Sequence, residues 1–146
     1  MAVEDTNLRT MRGTLAAGVY PTVFLTAFLL TGHAQQPVAL TDGVYSIAQA
    51  SRGQQLYRDE CVTCHGDTLQ GQVGPPLTGD QFLSFWSERP VTDLVDKIHN
   101  TMPPESSAPV SRQRSFDLSA YILQTNRFPA GSANLEDAAL PQLSFP

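Results

Sequence analysis

Apolar positions recur at helical spacing in four stretches of this chain, and nowhere do they alternate at strand spacing over a useful length. In the first stretch Ser46 is the expected N-cap of a helix running to about Glu60. Ile47, Ala50, Gln54 and Tyr57 share one flank of it, with Gly53 and Leu56 beside them. A glycine inside a helix costs about 1 kcal/mol against alanine, so Gly53 predicts a close crossing by another helix. From Gly66 to Gly79, four glycines and two prolines in fourteen residues forbid a helix or a central strand. Leu69 and Leu77 are the apolar anchors of that loop. A short helix is expected from Asp80 to Trp86, turning Phe82, Phe85 and Trp86 inward. Pro90 resets the chain, and Thr92 is read as the cap of a helix whose Val91, Leu94, Val95 and Ile98 form one apolar stripe. Thr101-Met102-Pro103-Pro104 ends it, and a Ser/Pro-rich loop leads to Val110. Ser111 should cap the last helix, Arg112 to Thr125, with Phe116, Leu118, Ala120, Tyr121 and Ile122 on its apolar face. Beyond Asn126, Leu135, Leu140, Leu143 and Phe145 predict an irregular arm that wraps the domain. The fold class expected is all-α.

The first 34 residues stand outside this pattern. Arg9 and Arg12 precede a mostly apolar run from Leu15 to Leu30, and Gly32-His33-Ala34 places small residues at a cleavage site. That is the layout of a secretory signal peptide, with Met11 as a possible true start. An uncleaved anchor is the alternative, although Gly18, Tyr20, Pro21, Thr22 and Thr26 interrupt the ~20 apolar residues a span needs. The expected division is a signal peptide at 1–34, an arm at 35–45, one domain at 46–127 and a wrapping tail at 128–146. Beyond Ala34 there are seven Lys/Arg and twelve Asp/Glu, a net charge of -5 (7 minus 12). Without a basic patch, nucleic acid is not an expected partner, whereas an acidic surface steers toward basic docking faces.

The candidate chemistry lies where the first helix ends. Cys61-Val62-Thr63-Cys64-His65 is a C-x-x-C-H sequence, the signature of covalent c-type haem attachment. Each thiol adds to one haem vinyl group, and the next residue, His65, becomes the proximal iron ligand. Three other chemistries fit the residues less well. A thioredoxin-like pair would follow a strand, and none precedes it. A zinc site would need more ligands than the two remaining histidines, His33 and His99, supply. A disulfide across two residues would be strained. Export agrees with haem attachment, which takes place outside the bacterial inner membrane.

An iron with one protein ligand is open for chemistry or closed by a second. Beyond residue 34 and apart from His65, the chain has one methionine, Met102, and one histidine, His99. A thioether suits haem iron and raises its potential, and Pro103-Pro104 stiffens the loop that would present Met102. His99, flanked by Lys97 and Asn100, reads as a solvated or propionate-side residue, with bis-His ligation as the alternative. Trp86 is a core aromatic by default; a hydrogen bond from its indole N–H to a haem propionate is the sharper option.

These residues, taken together, resemble class I cytochromes c from Gly43 to Asn126. The matching pieces are Gly53-x-x-x-Tyr57, Cys61-x-x-Cys64-His65, Gly74-Pro75-x-Leu77-x-Gly79, Met102-Pro103 and Leu118-x-x-Tyr121. Gly43-Val44-Tyr45, Phe82 to Trp86 and Gln124 to Gly131 are more narrowly similar to the monohaem cytochrome domains of bacterial quinoprotein dehydrogenase systems. The loop from Glu105 to Val110 departs from that pattern in lacking a glycine. The resemblance implies a cytochrome c fold of four to five helices around one covalent haem c. It also implies a crossing of the first and last helices near Gly53 and Tyr121, and a Pro75 carbonyl that accepts from His65 Nδ1. Cys61, Cys64, His65, Met102, Pro75, Leu77 and Trp86 are then the cofactor-binding residues, with His65 and Met102 on the metal. The implied role is a periplasmic electron carrier, not an enzyme, between a dehydrogenase donor (a quinoprotein dehydrogenase among them) and an oxidase or cytochrome acceptor. A haem enzyme or gas sensor with an open sixth position is the alternative.

Overall fold

A computed structural model describes residues 38–106 and 108–146, all within the unit Gln35–Pro146. The segment read as a signal peptide lies outside the described residues. Among those described, five α-helices follow one another: α1 Ile47–Glu60, α2 Val62–His65, α3 Gly79–Trp86, α4 Val91–Thr101 and α5 Arg112–Thr125. Single 3-10 turns stand at Leu40–Asp42 and Leu140–Gln142. The only extended pairings described are two isolated bridges, Ser46 with Gly131 and Pro90 with Ser144. The all-α expectation therefore holds. No described helix is long and apolar enough to cross a membrane.

The predicted serine caps are in place. Ser46 Oγ accepts from the N–H of Gln49 at 3.1 Å, and Ser111 Oγ accepts from that of Arg114 at 3.3 Å, each satisfying a donor the helix cannot. Thr92, however, does not cap α4. That helix begins at Val91 after an extended Pro90, and the Val91 N–H donates to Leu143 O at 3.0 Å. A backbone carbonyl of the tail does the work expected of a threonine side chain.

α1 and α5 cross in direct contact. Gly53 is buried at the crossing: a Cβ there would lie 1.8 Å from Asp117 O and 3.0 Å from Tyr121 Cβ. The pair is locked beside that point, where Arg52 Nε and Nη2 donate to the two carboxylate oxygens of buried Asp117, each at 3.0 Å. One turn on, the rings of Tyr57 and Tyr121 pack with centroids 5.5 Å apart. α4 lays Val91, Leu94, Val95 and Ile98 against the same core, all buried.

The tail wraps the helices as its apolar residues predict, with Leu135, Leu140, Leu143 and Phe145 all buried. Gln49, a polar residue at a core position, provides its firmest tie. The side chain is fully buried, its Nε2 donates to Leu135 O at 2.9 Å and its Oε1 accepts from Leu135 N at 2.7 Å. Gln49→Leu would leave both backbone groups buried and unpaired, each at roughly 1–3 kcal/mol. A loss of about 2 kcal/mol is expected in urea unfolding after the apolar gain offsets part of it; an unchanged midpoint would contradict the tie.

Candidate functional site

α1 ends at Glu60, and Cys61 opens the single turn α2. The Cys61 N–H donates to Tyr57 O at 2.9 Å, and the N–H groups of Cys64 and His65 both turn back to Cys61 O. Two free thiols three positions apart thus share one turn, with an imidazole at its end. Burial, and after it the charge of Glu60, pushes the Cys61 thiol up to about 11, against the opposing pull of Arg114. Arg114 pairs directly with Glu60.

The glycine-rich loop folds over this turn through its backbone. Gly71 N donates to His65 O and Gly74 N to Cys64 O, both at 2.8 Å, while Leu77 N donates to Leu69 O at 2.8 Å. Leu69 is the buried anchor expected of it. Gly74 must be a glycine, since a Cβ would stand 2.9 Å from His65 Cε1. The loop thereby brings Pro75 O to 2.7 Å from His65 Nδ1. A carbonyl only accepts, so Nδ1 carries the proton and Nε2 keeps its lone pair for a metal. Asn126 pins the far end, donating from Nδ2 to Leu77 O at 2.9 Å and accepting from Gly79 N at 3.1 Å.

One apolar cleft of about 310 Å³, open on one side, is lined by all seven predicted residues: Cys61, Cys64, His65, Pro75, Leu77, Trp86 and Met102. Tyr57, Phe82, Leu94, Ile98, Leu118 and Ile122 complete much of its wall. Met102 follows α4 with an extended backbone (φ -119°, ψ 145°) and donates from its N–H to Ile98 O at 3.3 Å. Trp86 is buried among Phe82, Phe85 and Phe145. Tyr57 closes the floor, its hydroxyl donating to Gly66 O at 2.6 Å.

Two expectations need correction. Phe85 is 58% exposed at the rim of the cleft, where the Arg89 guanidinium lies 4.4 Å over its ring. On so short a helix only one face is covered, and Phe82 and Trp86 occupy it. His99 is not a free surface residue, because its Nδ1 is hydrogen-bonded to Val110 O. It ties α4 to the loop before α5 and is absent from the cleft lining, which removes it as a neighbour of the bound group. Lys97 and Gln81, by contrast, line the cleft without having been singled out. The available signal was Lys97's place three residues after Leu94, on the flank of the apolar stripe.

The family model described as "Cytochrome C oxidase, cbb3-type, subunit III" matches residues 48–122, a stretch that contains the C-x-x-C-H turn and Met102. The chain belongs to this cytochrome c family. The cytochrome c domain is 31% identical over 100 residues to a thiosulfate dehydrogenase of Stutzerimonas stutzeri (strain A1501), covering 64% of this chain and 32% of that protein. It is 34% identical over 56 residues to cytochrome c-551 of Bacillus subtilis (strain 168), covering 38% of this chain and 48% of the other. The matches thus span about a third and about half of these two relatives. In fold it is similar to the crystal structure of the sulfane dehydrogenase SoxCD from Paracoccus pantotrophus, with a TM-score of 0.57 and 24% identity, over 90% of this chain and 68% of that one. The family implies haem c, and the residues fit such a group. The cleft is apolar, two thiols share one turn beside it, and the His65 imidazole is held in the tautomer that leaves Nε2 free.

Proposed function

We propose that the chain is an exported electron-transfer cytochrome that carries one electron on a single haem c, held by Cys61 and Cys64 and ligated by His65 and Met102. The observation that carries this reading is the composition of the cleft. It gathers both thiols, one imidazole and one thioether, with no other histidine or methionine in its lining. Bound there, haem iron supplies a reversible one-electron couple. The chain's own residues do the rest. The Pro75 carbonyl orients His65 and strengthens it as a donor, and the extended Met102 backbone ahead of two prolines presents the thioether. The apolar wall from Phe82 to Ile122 excludes water. Held by both His65 and Met102, the iron would have no place left for substrate.

The donor in this proposal is a dehydrogenase. A quinoprotein dehydrogenase follows from the narrower resemblance, and a sulfur-compound dehydrogenase from the thiosulfate dehydrogenase relative. The acceptor is an oxidase or another cytochrome. Export to the periplasm rests on the Arg9 to Ala34 pattern. The same relative supports a second reading, a haem enzyme with an open sixth position. Among the described residues the cleft lining offers that reading no free acid–base pair: His99 is engaged with Val110 O outside it, and Glu60, the one carboxylate in the lining, is paired with Arg114.

Attachment is tested by acid-acetone extraction. Haem should stay with the parent protein, and Cys61→Ser or Cys64→Ser should weaken or abolish its retention. Complete extraction from the parent would overturn covalent attachment.

A further inference from the structure

The polar groups around the cleft divide into those with protein partners and those without. Tyr57 Oη, His65 Nδ1 and Glu60 are engaged with Gly66 O, Pro75 O and Arg114. Among the described residues, the exposed Gln81 carboxamide and the buried Trp86 indole on α3, with the exposed Lys97 ammonium on α4, have no hydrogen-bond or ion-pair partner in the protein, yet all three line the cleft. An indole N–H and an ammonium can only donate. Lys97 also forgoes a ready alternative. Asp93 stands four residues before it, the favoured helical order for an ion pair, but no such pair forms, while neighbouring Asp96 is bound to Arg112. Glu60, the other charged side chain in the lining, already has its cation.

Donors without protein partners at the rim of an otherwise apolar cleft are placed to meet acids carried by a bound group. The thiols that would take the haem vinyl groups stand on Cys61 and on α2, at other elements than the donors. Haem bears its two propionates on the edge away from its vinyls. We infer that Lys97 pairs with a haem propionate, with Gln81 and the Trp86 indole as neutral donors beside it, so that Lys97 is a positioning residue that raises the reduction potential. This rests on the haem reading above. A cation held at the propionate disfavours the more positive ferric state.

The test is a redox titration of the holoprotein and four variants at low and high salt. Lys97→Gln should lower the potential and Lys97→Glu lower it further, whereas Lys97→Arg should stay near the parent. The shift should persist at high salt, because a contact pair is screened far less than separated surface charges. Arg58→Gln removes the same charge from the exposed face of α1 outside the cleft lining, and its smaller shift should vanish with salt. Lys97→Gln behaving like Arg58→Gln, or leaving the potential unchanged, would overturn the assignment. A parent protein without haem would instead overturn the haem reading itself.

Discussion

Met102→Ala is expected to lower the reduction potential by roughly 0.2 V, a fraction of the approximately 0.8 V that axial ligands span among haem proteins. A thioether favours ferrous iron, so its loss removes the main stabilisation of the reduced state. The reduced variant should also bind carbon monoxide readily, where the parent binds it poorly. Met102 is the only methionine lining the cleft, and His99 is held against Val110 O, so no second thioether or imidazole stands ready to replace it. Met102→His should keep six-coordinate iron while also lowering the potential, because imidazole is the stronger donor. Equal potentials and equal carbon monoxide affinity in parent and Met102→Ala would mean that the thioether never touches the iron. The open-site reading would then move ahead.

Gly53→Val should be the most destabilising single change on α1. In an ordinary helix interior, replacing glycine gains up to about 1 kcal/mol. Here the added Cβ would meet Asp117 O at 1.8 Å and Asp117 C at 2.5 Å. Both are backbone atoms, so no rotamer change relieves the clash and α5 itself has to move. Movement there also strains the Arg52–Asp117 pair, whose acid is 5% exposed. Overpacking usually costs about 1–3 kcal/mol, and valine is expected at or above the upper end, with alanine already near 2 kcal/mol. Thermal unfolding of the haem-loaded protein measures it. An unchanged midpoint for Gly53→Val would show that the helices do not cross there.

The features legible in the sequence are those written in local spacing. The stripe Val91, Leu94, Val95 and Ile98 is buried as its period requires, and both serine caps hold. The turn bearing Cys61, Cys64 and His65 is a local motif too, and the glycine at the crossing announced itself by its cost inside a helix. What escaped was long-range. Gln49 occupies a core position as a polar residue, and its partner Leu135 lies 86 positions away. The start of α4 depends on Leu143 of the tail, not on Thr92. Phe85 has the composition of a core residue but stands at a rim that protein alone does not cover. Lys97 reads as an ordinary helix-surface cation, and only the assembled cleft sets it apart from its neighbours.

The central claim is a covalent haem c closed by His65 and Met102, and the absorption spectrum of the oxidised protein tests it most directly. The account predicts a low-spin, six-coordinate c-type spectrum with a weak near-infrared methionine–iron band. A high-spin spectrum without that band, or protein carrying no haem at all, would contradict it.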